Sequence, residues 1–451
     1  MTAGERELRR SVRRLMPQLK AELVRLVGIP SVTFPGFAEA PGREAAEAVR
    51  RLFDALGLLD TRLIEVPGEP PIVYGHRAPP TGGPTVLLYA HYDVQPAGNE
   101  ADWLADPFTA VERDGRVYGR GAADDKAGIV VHYGALRALE GRPTVGLTVV
   151  IEGAEERGSP GLCRHLLDNA SLYAADAAIV ADGGNVACGS PTLSVSTRGL
   201  VIVDVTVETL DGPRHSGVYG GPVPDALVAL SRMIATLHDD AGNVAIDGLE
   251  RAHYGGTPIN ENEYVRGVGL LPGVDVIGDG TLAERLLARP AVNVIALDAP
   301  DFESAGNIIL GRARARISVR LAPSQGAETA QTAVIRHLQA VAPWGARVTV
   351  DRGTAMDGFA ANVDGPAYAV ARDALERAFA ATCVEIGRGS GLPLQAAMHR
   401  AFPAAEILQW GVGEPEARVH APNESVDLRE LEGITLAEAI FLAEFAGSSA
   451  L

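Results

Sequence analysis

The sequence predicts an α/β fold: a mostly parallel sheet covered by helices, with a smaller α+β domain inserted into it. Three observations predict it. Short apolar runs alternate with helical stretches in the first part of the chain and again near its end. The middle of the chain switches to the period-two pattern of half-exposed strands. At 451 residues the chain also exceeds the size, about 250 to 300 residues, at which one hydrophobic core stops growing.

Each element follows in order. Leu8, Val12, Leu15, Leu19, Leu23 and Leu26 recur at three and four, which predicts a helix over 5–27 with Pro17 as a kink point and Gly28 and Pro30 as its stop. A second helix, 45–56, ends at Gly57. Val86, Leu87, Leu88 and Tyr89 form a buried strand between Gly/Pro punctuation, with His91 just beyond. A helix over 127–139, a strand over 145–151, a helix over 162–167 and a strand over 177–181 continue the alternation. A helix over 366–379, a strand over 406–410 and a helix over 428–445 resume it.

Between these parts, Val201, Val203, Val205 and Val207 alternate with mostly polar neighbours, and Arg314, Arg316, Ser318 and Arg320 alternate with apolar ones. Helices over 224–237 and 328–341 and a strand over 347–351 complete this unit, with an irregular Gly-rich segment near 241–290. The expected organisation is a discontinuous domain of 1–197 and 355–451, interrupted by an inserted domain of 198–354.

The formal charge of −17 argues against nucleic acid or an anionic membrane as a partner. Cys163, Cys188 and Cys383 are odd in number and widely spaced, which fits a reducing compartment and no disulfide framework. No apolar stretch resembles a secretory signal or a membrane span, so a cytoplasmic location is expected.

Five segments hold metal-type ligands, and three of them directly follow predicted strands, where ligands bind in open α/β sheets. His91 and Asp93 lie two apart on extended chain and project to one side, so the imidazole can ligate while the carboxylate supports it. The plain alternative is a solvated strand end. Gly119-Arg120-Gly121-Ala122-Ala123-Asp124-Asp125-Lys126 precedes a helix and superficially resembles a dinucleotide loop. Asp124, however, puts negative charge where a pyrophosphate would sit, which suits a cation; helix capping is the competing reading. Glu155 and Glu156 follow the 145–151 strand, and as neighbours they point apart, so one can bind metal while the other holds a water. Asp182 and His420 are individually weak signals.

Taken together, these segments resemble the aminoacylase, glutamate carboxypeptidase and carnosinase superfamily of di-zinc hydrolases, and most closely its carnosinase-type dipeptidases. The matching segments run in order from His91 to Glu424. The resemblance implies that His91 and Asp182 hold one ion, Glu156 and His420 the other, and that Asp124 bridges them through a cis Asp124–Asp125 peptide. It makes Asp93 the residue that orients His91, and Glu155 the general base. Two ions about 3.5 to 4 Å apart share a water and lower its pKa to about 7. Zinc suits the mixed His and carboxylate set, and manganese is also accommodated.

The segment His215-Ser216-Gly217-Val218-Tyr219-Gly220-Gly221 is similar to the carnosinase-type pattern. The resemblance makes His215 an oxyanion donor reaching a neighbouring subunit, and the insert a lid and dimerisation domain of a homodimer. Arg320 resembles the arginine that clamps a substrate carboxylate, although it is one of four nearby arginines and could equally belong to a solvated strand face. Gly389, Ser390 and Gly391 stand where such dipeptidases carry a Gly-Gly-Ser-Ile-Pro loop, with the serine displaced by one position and the usual acidic residue missing before it. This loop is expected to hold the substrate's carboxylate end, so its departure leaves substrate identity open.

The expected function is hydrolysis of the amide bond of dipeptides or very short peptides. An N-acyl- or N-carbamoyl-amino-acid amidohydrolase would use the same site, and a catalytically silent binding protein of the same fold is a third reading. Retention of both Glu155 and Asp93 speaks against the last, because binding alone needs no general base. His132, inside an apolar helix, and His165, His238, His337 and His399, in helical patterns, are assigned no catalytic role; His76 and His253 stay undecided.

Overall fold

The computed structural model describes residues 2–57, 59–80, 82–140, 143–389 and 391–448. These form two compact units, one of residues 1–195, 361–386 and 392–451, the other of residues 196–360 and 387–391.

The first unit is built on a six-stranded sheet in the order Asp60–Ile64, Ile72–Arg77, Gly146–Glu152, Thr85–His91, Ala177–Val180 and Glu406–Gln409. The last four strands are parallel, and the first two add an antiparallel edge. The sequence reading placed the four parallel strands and missed the two at the edge. Asp60–Ile64 has no buried residue and no continuous apolar run to announce it. The central strands are apolar on both faces because helices cover both sides. Val86, Leu88, Leu147, Val149, Ile151 and Ile179 are fully buried among residues of those helices.

The first helix, Ala3–Val27, runs through Pro17 unbroken, and Gly28 caps it. The second starts earlier than predicted, at Ala40, with Pro41 in its first turn, where a missing N–H costs nothing. The long C-terminal helix, Leu428–Ser448, packs against Ala3–Val27 and Lys126–Ala138. His132 meets Glu438 here: its Nδ1 lies 2.8 Å from Oε1, its Nε2 lies 3.0 Å from the Tyr89 carbonyl, and both side chains are fully buried.

The second unit carries an antiparallel sheet in the order Ala291–Asp298, Arg312–Leu321, Gly199–Glu208 and Arg347–Met356. Val201, Val203, Val205 and Val207 face inward against Ala229, Leu230 and Met233 of the Ala226–Ala235 helix and Ala330, Val334 and Leu338 of the Ala327–Ala340 helix. The edge strand Ala291–Asp298 went unpredicted because all but its first two residues are exposed, so no apolar face marks it. The Ala226–Ala235 helix ends before His238, which instead bridges to Val244. Among the described residues, no helix is long and apolar enough to cross a membrane.

Candidate metal centre

Parallel pairing sets the Thr85–His91, Gly146–Glu152 and Ala177–Val180 strands with their carboxyl ends side by side, and His91 is in register with Glu152. The side chains at and just beyond these ends therefore converge, although up to 91 positions separate them. His91 ends the first strand, Glu155 and Glu156 occupy a single helical turn after the second, and Asp182 lies two residues past the third. Asp124 stands just before the Lys126–Ala138 helix, its peptide to Asp125 cis. His420 comes from a loop and adopts a left-handed backbone, with φ of 62°.

Two triads result, His91/Asp124/Asp182 and Asp124/Glu156/His420, each with its ligand atoms within 4.8 Å of one another. Asp124 belongs to both. Its Oδ1 lies 3.0 Å from His91 Nε2 and its Oδ2 lies 2.9 Å from His420 Nε2, so one carboxylate faces both histidines with different oxygens. His91 Nε2 is also 3.7 Å from Asp182 Oδ2, and His420 Nε2 is 3.2 Å from Glu156 Oε2.

The support around the two triads differs. His91 is fully buried, with Nδ1 3.0 Å from the Asp93 carbonyl and 3.3 Å from Asp93 Oδ1. The same Asp93 carboxylate accepts the backbone N–H of Glu155 (3.3 Å) and of Glu156 (3.2 Å). Asp93 thus fixes the imidazole and the acidic turn together. His420 is half exposed, at 52% of its side chain.

Two glycines are required by close approach. A Cβ on Gly153 would stand 2.3 Å from the Tyr92 ring, and one on Gly128 would stand 2.3 Å from Asp125 Oδ1. Glu152, in the same acidic segment as Glu155 and Glu156, faces away into the core, where Oε1 accepts the hydroxyls of Tyr89 and Ser159 at 2.7 Å each. Burial pushes its carboxyl up to about 7.

The electrostatics describe a site that wants positive charge. Burial, together with the nearby Asp182 carboxylate, pushes Glu155 up to about 9. Hydrogen bonds to Asp124 and Glu156 push His420 up to about 10. At His91 burial favours the neutral ring, but the bonds to Asp124 and Asp93 outweigh it and raise its pKa. At Asp124 burial is likewise overcome by the bonds from His420 and His91, which hold the carboxyl well below the usual range. Protons thus gather where cations would sit, and the donor set of imidazole and carboxylate is one that zinc and manganese accept.

Sequence reasoning passed over two residues of the centre. Gln95 donates its backbone N–H to Glu156 Oε1 (3.1 Å) and its side-chain amide to Oε2 (2.7 Å). Glu424, fully buried, accepts the backbone N–H groups of Gly121, Ala123 and Asp124. Both lie inside segments that the ligands had already marked, two positions after Asp93 and four after His420.

The remaining expected residues belong to the second unit. His215 is exposed, and its Nδ1 accepts the Gly217 N–H at 3.1 Å, which leaves the proton on Nε2. Arg314 and Arg316 both pair with Asp204, whereas Arg320 has no carboxylate partner among the described residues. Arg198, buried beside Arg320, is held by the carbonyls of Leu286 and Arg289. Gly389 has open space around it, and a Cβ on Gly391 would come 2.8 Å from Thr197 Oγ1. Ser390 lies outside the described residues. Of the undecided histidines, His76 is an exposed residue of an edge-side strand, and His253 pairs with Glu284 at 2.7 Å.

The profile of peptidase family M20/M25/M40 matches residues 87–442. A cysteinylglycine-S-conjugate dipeptidase of Corynebacterium striatum is 40% identical over 410 residues, covering 89% of this chain and 90% of that protein. A Beta-Ala-His dipeptidase of Rattus norvegicus is 26% identical, covering 95% and 88%. The crystal structure of human carnosine dipeptidase 1 shares the fold, with a TM-score of 0.75 at 23% identity over 99% of each chain. A match over most of the chain, together with a 40% identical relative along nearly all of it, makes this protein a member of peptidase family M20/M25/M40.

Proposed function

We propose that this chain is a metal-dependent dipeptidase that uses two divalent ions, zinc or alternatively manganese, in the His91/Asp124/Asp182 and Asp124/Glu156/His420 triads. The observation that carries the reading is the division of the Asp124 carboxylate between His91 and His420. A bound ion pair supplies Lewis acidity, polarising the scissile carbonyl and lowering the pKa of the attacking water.

The chain's own residues do the rest. Glu155 takes one proton from the water, whose oxygen adds to the carbonyl carbon. It then returns that proton to the leaving amine nitrogen as the C–N bond breaks. Asp93 holds both His91 and the Glu155 turn, so the base and the first ligand share one anchor. His215, with its proton on Nε2, is the donor for the developing oxyanion. Arg320, free of the Asp204 pairing that occupies its neighbours, is the clamp for the substrate carboxylate, and the sequence segment 389–391 is the further candidate for holding that end.

The relative at 40% identity acts, by its name, on cysteinylglycine S-conjugates, so a C-terminal glycine dipeptide is the first substrate class to test. Residues 196–360 are proposed as a lid and dimerisation domain of a cytoplasmic homodimer. Support comes from the outer strand Ala291–Asp298, a sheet edge that exposes Val294, Ile295 and Leu297.

The test is a panel of dipeptides, cysteinylglycine and β-alanyl-histidine included, offered to metal-stripped protein with and without zinc or manganese, beside N-acetyl, N-succinyl and N-carbamoyl amino acids. Metal-restored cleavage of dipeptides is expected. Cleavage of the N-acyl or N-carbamoyl compounds alone would transfer the reaction to an amidohydrolase.

A further inference from the structure

The two metal-type triads are anchored unequally, and the difference points to a residue. His91 is buried and held from behind by Asp93. His420 is half exposed, and the groups facing its ring, Asp124 and Glu156, are themselves ligands. Its position therefore depends on what holds its loop.

That loop is fixed four residues further on. The Glu424 side chain is wholly buried, and its two oxygens receive four donors. Oε1 accepts the N–H of Ala123 at 3.0 Å and of Asp124 at 3.1 Å. Oε2 accepts the N–H of Gly121 at 3.1 Å and Nη1 of Arg120 at 2.6 Å. The Glu424 carbonyl accepts the Gly119 N–H at 2.9 Å, so the whole 119–124 loop is wound around this one residue. Asn423 adds a second pin, donating to the Asp102 carbonyl and accepting the Leu104 N–H.

Four converging donors with no acceptor among them require an ionised carboxylate. Such a charge is costly to remove from water unless it is paired, and Arg120 supplies the partner. Arg120 is in turn fixed, with its guanidinium 5.2 Å from the centre of the Trp103 ring and Nη2 on the Pro96 carbonyl.

We infer that Glu424 is a positioning residue of the metal centre, locking the backbone of the shared ligand Asp124 to the His420 loop, with Arg120 as its counter-charge. The inference rests on the two-ion reading proposed above and adds an asymmetry to it. Of the two histidines, His91 keeps its own support from Asp93, whereas the His420 loop is held by Glu424 and Asn423. Loss of Glu424 should therefore loosen the shared Asp124 slightly for both ions and weaken the ion on the His420 side far more, which a merely structural role would not do.

The experiment is a titration of metal-stripped protein with zinc, and separately with cobalt(II) followed by its visible spectrum, against a chelating indicator, for wild type, Glu424→Gln and Arg120→Lys. Glutamine keeps the size but turns an NH2 toward two of the four donors. Wild type should take two ions. Glu424→Gln should hold the first ion within about threefold of wild type and the second about 10- to 100-fold more weakly, the range typical of lost outer-sphere support. Arg120→Lys should move the second step in the same direction by less. An unchanged second step, or equal weakening of both, would overturn the inference. If Glu424→Gln does not fold, a folded Arg120→Lys with an unchanged second step overturns it instead. Fewer than two ions in wild type would remove the two-ion reading itself, a failure separate from that of Glu424.

Discussion

Gln95 holds both oxygens of Glu156, one with its backbone N–H and one with its side-chain amide. A carboxylate gripped at both oxygens has its plane fixed in advance, which would lower the ordering cost of binding an ion in the proposed site. Gln95→Leu keeps the backbone bond and removes the amide. It should weaken the ion on the His420 side by about 10-fold, within the range of outer-sphere losses, with the circular dichroism spectrum unchanged. Chelator competition measures this directly.

Glu155 and Glu156 are adjacent in one helical turn and have opposite jobs in the proposed mechanism. Glu155→Gln should therefore retain both ions while kcat falls by about 100- to 10,000-fold, the usual contribution of a general base. Glu156→Gln should lose metal. Metal content by atomic emission, read beside kcat for the two variants, separates the roles. Equal metal loss in both would make Glu155 a ligand.

The parallel strands and the candidate ligands at their ends were legible because each signal is local. Val86 to Tyr89 is a continuous apolar run, and His91 or Asp182 follows within a few residues of its strand. What was not legible depends on pairing across the chain. The edge strand Asp60–Ile64 has no buried residue and Ala291–Asp298 is exposed along most of its length, so neither carries a period that marks it. Glu424 looks like any loop carboxylate until the fold brings the N–H groups of Gly121, Ala123 and Asp124 around it, 300 positions away in the case of Asp124. His132 looked like a helix-core histidine because its partner Glu438 is 306 positions distant.

That pair makes a stability prediction. Both side chains are fully buried, and they tie the Lys126–Ala138 helix to the C-terminal helix behind the sheet. Glu438→Ala would strand the imidazole and open a cavity, which should cost about 3 to 5 kcal/mol. Urea unfolding monitored by tryptophan fluorescence would show the midpoint fall, while the folded variant should still bind two ions, because neither residue touches a ligand.

Arg320 separates the substrate readings. Its strand neighbours Arg314 and Arg316 both pair with Asp204, so of these three arginines Arg320 alone has no carboxylate partner among the described residues. Arg320→Met keeps the aliphatic stem and removes the charge. A charge-assisted hydrogen bond is worth about 1.5 to 3 kcal/mol, so kcat/KM for dipeptides with a free C-terminus should fall about 10- to 100-fold. The effect should appear mainly in KM if the clamp binds ground and transition states alike. The same dipeptides with an amidated C-terminus lack the group that Arg320 is proposed to recognise, so wild type and variant should treat them equally. An equal loss on both substrate sets would mean that Arg320 serves the sheet rather than the substrate.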